Sequence, residues 1–142
     1  MTIRAAAAFA IAISIFASTA HAATPGPDDM SAQCQANKAG AVGFMQTVFV
    51  DHKVAEAFSK YVAADFREHR PLGTPTAPTR ASVMAGLTRE FAGGGGPTFR
   101  PISAVAEGDM VFVRSSNGDV DAYRIRNGKI VEHWDGATKP TK

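Results

Sequence analysis

The sequence predicts one α+β domain in which three helices precede a run of antiparallel strands. Two observations support this prediction. Apolar residues recur every three or four positions as far as residue 91, and strand-like segments separated by Asn-Gly turns follow residue 97. The 142 residues suffice for one domain, and 45% hydrophobic with 20% charged residues is typical of a globular chain. Helices that are segregated from strands favour packing on one face of a curved sheet.

Three segments have the apolar spacing of a helix. The first follows a candidate N-cap at Ser31, and the second is predicted over residues 53–63. The third is predicted over residues 80–91, with Thr79 as its N-cap. Residues 65–71 end at a proline and predict a short strand between the second and third helices. The inward positions expected for the first helix are Ala39, Val42, Met45 or Gln46, and Phe49.

Four further strands are predicted in the C-terminal part, over residues 98–106, 110–113, 119–126 and 129–135. Asn-Gly dipeptides at 117–118 and 127–128 are strong hairpin signals, so the last three strands should form an antiparallel meander. The unbroken apolar run at 110–113 predicts a strand buried on both faces. A sheet that wraps around helices forms a cone, and the open end of a cone is a natural ligand pocket.

The N-terminus has the pattern of a secretory signal peptide over residues 1–22. Arg4 supplies a positive charge, an apolar run follows, and Ala20 and Ala22 fit the small-residue cleavage pattern. The run of about 13 apolar residues is shorter than the roughly 20 of a spanning helix, which makes a retained anchor the less favoured alternative. We therefore expect a flexible leader over 23–35, a domain over 36–138, a periplasmic or secreted location, and no membrane attachment after cleavage.

Charge and motif content exclude several function classes. Fifteen basic and thirteen acidic residues give a net charge of +2, which makes no case for a nucleic-acid partner. Cys34 is the one cysteine, so neither an intrachain disulfide nor a Cys-rich zinc site is possible. His52, His69 and His133 lack metal-ligand spacing, and no metal site is predicted. The four glycines at 93–96 lack the lysine of a phosphate-binding loop.

Strand alternation groups the candidate polar residues by face. Asp121 and Tyr123 share one face of the penultimate strand, whereas His133 and Asp135 share one face of the last strand. Counting outwards from the hairpin turn pairs Tyr123 with Glu132, which would separate Asp121 from His133. A β-bulge would reverse this pairing, because a shift of one residue exchanges the two faces.

An acid inside an apolar cavity can act as a general base near neutral pH, because desolvation raises its pKa. A histidine within reach would stabilise a developing enolate oxygen, and the two groups together suit proton abstraction next to a carbonyl. The alternative is that Asp121 and Asp135 are solvated acids at strand edges and that His69 is a residue of a loop or rim. Trp134 is then a core or rim aromatic.

Four segments carry a resemblance to a known family: residues 37–38, 66–71, 106–111 and, above all, 121–135. The last segment reads Asp-Ala-Tyr-Arg-Ile-Arg-Asn-Gly-Lys-Ile-Val-Glu-His-Trp-Asp. Together they resemble SnoaL-like proteins of the nuclear transport factor 2-like superfamily. The resemblance implies an α+β cone with three N-terminal helices packed on a strongly curved, mostly antiparallel sheet. It also implies the aldol condensation of the family's polyketide cyclases, which need no cofactor and use an acid as base beside a histidine.

The resemblance also implies roles for individual residues. Asp135 is most similar to the catalytic-acid position and Asp121 is second, while His69 matches the family's histidine before a proline. The residues expected to bind ligand are Tyr123, His133, Trp134, Arg70 and Arg114. Arg70 and Arg114 differ from the residues that relatives often carry, and we expect them to attract an anionic ligand into the cavity.

The sequence therefore predicts an exported SnoaL-like pocket protein with a small-molecule ligand. Its expected activity is that of a cofactor-free lyase or isomerase of the aldol type. The alternative is a non-catalytic module for ligand binding or for dimerisation. Homodimerisation through the exposed face of the sheet is implied by the resemblance.

Overall fold

The computed structural model describes residues 27–69 and 78–136, in which three α-helices pack on one face of a five-stranded sheet. The predicted signal peptide and Arg70 lie outside the described residues. The helices are α1 (Pro27–Met45, continued by a π-helical turn over Gln46–Val50), α2 (Val54–Tyr61) and α3 (Arg80–Ala92). The strands are β1 (Val62–Glu68), β2 (Pro101–Glu107), β3 (Met110–Ser115), β4 (Val120–Arg126) and β5 (Lys129–Trp134). Within the described segments, no helix is long and apolar enough to cross a membrane.

The strand order is β1-β5-β4-β3-β2, and only the β1–β5 pair is parallel. The last four strands form an antiparallel meander, which includes the three strands that the Asn-Gly turns predict, and the α+β class is confirmed. Strand β1 precedes α3 in the chain and forms an edge of the sheet, where it pairs with β5 on the side opposite β4. This parallel pairing aligns Glu68 with His133, two residues that are 65 positions apart.

Helix α1 differs from its prediction in its start and in its buried face. It begins at Pro27, so the part of the predicted 23–35 leader from residue 27 is helical. Ala39 is exposed, whereas Asn37 is buried because its side-chain amide donates to the carbonyl of Gly108 at 3.0 Å. The predicted inward positions Val42, Met45 and Phe49 do pack in or against the core, so the prediction is wrong at Ala39 and omits Asn37. The buried residues of this region are Asn37, Ala41, Phe44, Met45, Thr47 and Val48.

Helices α2 and α3 follow their predicted patterns closely. Helix α2 ends at Tyr61, two residues before its predicted end, because Val62 and Ala63 already belong to β1. Helix α3 has the predicted cap. The Thr79 hydroxyl accepts from the Ser82 backbone N–H at 3.2 Å, and the Ser82 hydroxyl accepts from the Thr79 backbone N–H at 2.9 Å. This capping box satisfies two backbone donors at the helix start.

The inner face of the sheet packs on the helices, and its outer face is not covered by the described residues. In β3, Val111 and Val113 are fully buried, whereas Phe112 between them is 41% exposed. The expectation that residues 110–113 are buried on both faces is therefore wrong. Helices lie on one side of this antiparallel sheet, so alternate apolar side chains remain at the surface.

The β4–β5 hairpin contains the bulge that the sequence reading left open. The pairing starts as predicted, with Ile125 opposite Ile130, but Val131 is then an extra residue in β5. As a result, Tyr123 lies opposite His133 instead of Glu132. Ile130 and Val131 are both buried, which strict alternation does not allow. By shifting the register by one residue, the bulge turns His133 towards the face that carries Tyr123, and the predicted separation of Asp121 from His133 is wrong.

Candidate functional site

A cavity of about 200 Å³ lies between the helices and the inner face of the sheet. An engineered 150 Å³ apolar cavity holds benzene, so this one has room for a single ring with a short substituent. Its aromatic lining residues are Phe44, Phe49, Phe58, Phe66, Phe99 and Tyr123, and its aliphatic ones are Val83, Leu87, Pro97 and Ile130. The polar lining residues are Glu68, Glu90, Asp121, His133 and Asp135.

Three neighbouring strands bring an imidazole between two carboxylates in the wall of this cavity. His133 Nδ1 on β5 lies 2.9 Å from Glu68 Oε2 on β1, and His133 Nε2 lies 3.8 Å from Asp121 Oδ1 on β4. The first distance is a hydrogen bond, whereas the second is an ion-pair distance too long for one. The backbone N–H of Gly136 donates to Asp121 Oδ1 at 3.1 Å, and the His133 ring stacks on Tyr123 with 4.7 Å between ring centroids.

The two carboxylates decide the protonation state of His133. Burial by itself lowers the pKa of His133, but the neighbouring carboxylates of Asp121 and Glu68 outweigh burial and raise this pKa to about 9. The ring is therefore an imidazolium at neutral pH, with a proton on each nitrogen. Burial also raises the pKa of the Tyr123 hydroxyl, and the charges of Asp121, Glu68 and Asp135 raise it further.

Two buried polar atoms of this group lack a hydrogen-bond partner among the described residues: Glu68 Oε1 and His133 Nε2. An unpaired buried donor or acceptor costs about 1–3 kcal/mol, so native structures keep few of them. Both belong to residues that line the cavity. A ligand that supplies a donor to Glu68 and an acceptor to His133 would remove this cost.

The sequence profile of the SnoaL-like domain matches residues 41–133, more than half of the chain. The protein belongs to the SnoaL-like family. A comparison with curated proteins gave no match. The matched range includes Glu68, Asp121, Tyr123 and His133, and it ends before Asp135 and Gly136.

Solved structures confirm the SnoaL-like fold. IdmH from Streptomyces antibioticus, described as a candidate polyketide cyclase, is 20% identical, with 69% of this chain and 88% of that chain covered and a TM-score of 0.53. An LEH-like epoxide hydrolase from M. tuberculosis is 10% identical, with coverages of 72% and 83% and a TM-score of 0.58. An NTF-2-like protein from Burkholderia xenovorans is 18% identical, with coverages of 70% and 80% and a TM-score of 0.53.

Two predicted site residues of this SnoaL-like domain lie on the outer face of the sheet. His69 Nε2 lies 2.7 Å from Glu132 Oε2, and the His69 ring stacks on Trp134 with 4.5 Å between centroids. His69 directly follows the inward residue Glu68 at the end of β1, and Trp134 follows the inward residue His133 in β5, so both point the opposite way. Neither lines the cavity. The structure therefore corrects the prediction that His69 and Trp134 act within it.

Arg114 is also outside the cavity. It is exposed on β3 between the buried residues Val113 and Ser115, on the same face as Phe112. Among the described residues, no lysine or arginine lines the cavity, and an anionic ligand has no support from Arg114. Asp121, Asp135, Tyr123 and His133 do line the cavity; their functional roles remain predictions.

Glu68 is the site residue that the sequence reading missed. Its side chain is 2% exposed, and its carboxylate keeps the His133 ring in place through the 2.9 Å contact with Nδ1. The available signal was its spacing from Phe66, because residues two apart in a strand share a face. An acid that shares a face with a buried phenylalanine is a candidate for the interior.

Within the described ranges, no group of three or more His, Cys, Asp or Glu side chains could hold a metal ion.

We expect stability to fall as the pH rises from 6.5 to 9. The pKa of His133 is about 9 in the folded chain and about 6.5 when unfolded, so the folded state binds more protons within this window. Full stabilisation is present below pH 6.5, and up to about 3 kcal/mol of unfolding free energy is lost by pH 9. Urea unfolding at several pH values measures this loss.

The control for this pH dependence is His69→Gln, which removes an exposed histidine on the outer face. We expect His69→Gln to keep the loss of stability between pH 6.5 and 9, and His133→Gln to abolish it. A wild-type stability that stays constant across this window would contradict the assigned protonation of His133.

Proposed function

We propose that this chain binds a small carbonyl compound in its cavity and abstracts a proton next to the carbonyl without a cofactor, as an aldol-type cyclase or isomerase does. The SnoaL-like fold supports a small-molecule-binding or cyclase-type function. The observation that supports catalysis is the His133 imidazolium held between Glu68 and Asp121 in the wall of an apolar cavity.

In this proposal His133 is the electrophile. With a pKa of about 9 it has no free lone pair at neutral pH, so it donates protons and cannot serve as the base. Its Nε2–H has no hydrogen-bond partner among the described residues. A carbonyl oxygen next to Nε2 would accept this hydrogen bond, which strengthens as the oxygen becomes an enolate.

Asp121 is the proposed base. Its carboxylate is buried and lies 3.8 Å from His133 Nε2, and the N–H of Gly136 holds one of its oxygens. A carbonyl oxygen and its α-carbon are two bonds apart, so a base and a donor that lie side by side can act on both. Asp135 also lines the cavity. We favour Asp121 because of its proximity to His133, which reverses the order that the resemblance implies.

Glu68 is the proposed positioning residue. Its hydrogen bond to Nδ1 fixes the orientation of the His133 ring and directs Nε2 towards Asp121. Carboxylates orient catalytic histidines in the same way in hydrolase triads.

Non-catalytic ligand binding is the alternative function. The open cavity of about 200 Å³ argues against a module that serves only for dimerisation.

The test is deuterium wash-in at the α-carbon of phenylacetone, a one-ring ketone that suits the cavity, followed by NMR in D2O. We expect Asp121→Asn to reduce the protein-dependent exchange rate by about 10²–10⁴-fold, the usual contribution of a general base. Asp51→Asn is the matched control, because Asp51 is exposed and does not line the cavity. It should exchange at the wild-type rate.

Three outcomes bear on this proposal. Exchange by the wild-type protein at the rate of buffer alone would contradict catalysis, and phenylacetone binding without exchange would leave the non-catalytic function. Exchange that is undiminished in Asp121→Asn but lost in Asp135→Asn would assign the base to Asp135.

We propose in addition that the chain is exported and that its first 22 residues are removed. The support is the charged start, apolar run and Ala20–Ala22 pattern of the sequence. Expression of the full chain in a Gram-negative host, followed by mass spectrometry of the periplasmic fraction, should give a chain that starts at Ala23. A full-length protein retained in the membrane fraction would contradict export by cleavage.

We further propose that the outer face of the sheet forms a homodimer interface. Val105 and Phe112 are cross-strand partners on this face and are 65% and 41% exposed. Light scattering should give the mass of a dimer for the wild type and of a monomer for Val105→Glu. Val50→Glu is the control, because Val50 is an exposed valine outside the sheet and its replacement should leave the dimer intact. A monomeric wild type would contradict the interface.

A further inference from the structure

The charged groups of the cavity are almost all acidic. Four carboxyl side chains line it: Glu68, Asp121 and Asp135 at the sheet, and Glu90 on the exposed side of α3. The imidazolium of His133 is the basic group among the described lining residues. Among the described residues, carboxylates therefore outnumber positive charges in the cavity lining. A bound anion would be repelled in a site where little water screens the charges.

The aromatic lining favours a ligand that carries an aromatic ring. Phe44 packs edge-to-face against Phe58 and Tyr123, with ring centroids 5.5 and 6.1 Å apart, and Phe58 packs in the same way against Phe66 at 6.3 Å. Aromatic pairs prefer edge-to-face or offset-stacked arrangements, with ring centroids about 4.5–7 Å apart. A ligand ring can extend this packing, while the charged end of the ligand lies near the acids.

The unpaired oxygen of Glu68 indicates which kind of cation fits. Glu68 is 3% exposed, and its Oε1 has no hydrogen-bond donor among the described residues, although Oε2 is paired with His133. A protonated amine has N–H donors for such an oxygen, whereas a carboxylate ligand has none and a quaternary ammonium has none. A protonated amine therefore supplies both positive charge and the hydrogen-bond donor that Glu68 Oε1 lacks among the described residues.

We propose that the cavity selects small arylalkylamines in their protonated form, with one ring and a short chain that ends in an ammonium, and excludes carboxylates of the same size. The ring lies among the phenylalanines, and the ammonium lies towards Glu68 Oε1. The volume of about 200 Å³ sets the limit of one ring. This inference rests on the cavity being the ligand site of the proposed function, and it does not require catalysis.

Three probes of nearly equal size test the selectivity: 2-phenylethylamine, 2-phenylethanol and phenylacetate, with dissociation constants measured by NMR titration at pH 7. We expect the amine to bind at least ~tenfold more tightly than the alcohol, since a difference of about 1.4 kcal/mol is tenfold. Phenylacetate should bind at least ~tenfold more weakly than the alcohol.

Three single variants locate the effect. Glu90→Gln removes one carboxylate from the exposed side of the lining, where the substitution leaves the core intact, and should narrow the ratio of amine to phenylacetate affinity by ~threefold or more. Glu107→Gln removes an exposed acid from β2, outside the cavity lining, and should leave this ratio unchanged. Val83→Trp fills part of the cavity and should abolish amine binding.

The outcomes separate this inference from the proposed function. Equal affinity for amine and alcohol would overturn the charge selectivity while the cavity remains a ligand site. Phenylacetate that binds as tightly as the amine would overturn it as well. Binding of none of the three probes would overturn both the selectivity and the cavity as the ligand site. An amine affinity that is unaffected by Val83→Trp would place the amine elsewhere and contradict the inference.

Discussion

The hydrogen bond between Glu68 and His133 is the interaction on which the rest of the site depends. It joins β1 to β5 across the parallel pair in the sheet, between residues that are 65 positions apart. It also fixes the imidazole ring so that its second nitrogen lies towards Asp121. The roles that we propose for His133 and Asp121 both require this orientation.

A second pair reinforces the same strand alignment from the other side of the sheet. The dipeptide Glu-His occurs at 68–69 in and beside β1 and again at 132–133 in β5. Glu68 bonds to His133 on the inner face, and His69 bonds to Glu132 on the outer face. The two strands therefore exchange carboxylate–imidazole contacts on both faces. A slip of one residue would break both contacts, so this arrangement specifies the register of the parallel pair.

Local features of the chain were predictable from the sequence, and non-local ones were not. The Thr79 cap, the spacing of α2 and α3, and the Asn-Gly turn before β5 depend on residues close to one another in the chain, and each was predicted. The position of Glu68 beside His133 depends on a parallel pairing between distant strands. No local pattern encodes this pairing.

The bulge at Val131 shows the same limit for the candidate site. Strand alternation correctly grouped Asp121 with Tyr123 and His133 with Asp135. One extra residue in β5 then determined that these two groups share a face of the sheet. Its signal is the adjacent pair Ile130 and Val131, which cannot both point inwards in a regular strand. The burial of Asn37 likewise depended on its bond to Gly108, a tertiary contact that an apolar pattern does not contain.

The site keeps ionised and unpaired groups inside an apolar enclosure, and this arrangement opposes stability. Removing one partner from a buried ion pair typically costs 3–5 kcal/mol, because the other charge is left uncompensated. Here one imidazolium lies between two carboxylates, and Glu68 Oε1 and His133 Nε2 lack partners among the described residues. Packing by the surrounding phenylalanines maintains the geometry. A group of this kind in a cavity is typical of a functional site.

The most direct measurement of this arrangement is a ¹⁵N NMR titration of the His133 ring between pH 5 and 10. The account predicts that both ring nitrogens carry protons at pH 7 and that the ring titrates with a pKa near 9. A neutral His133 ring at pH 7, with a pKa at or below the ordinary value of about 6.5, would contradict it.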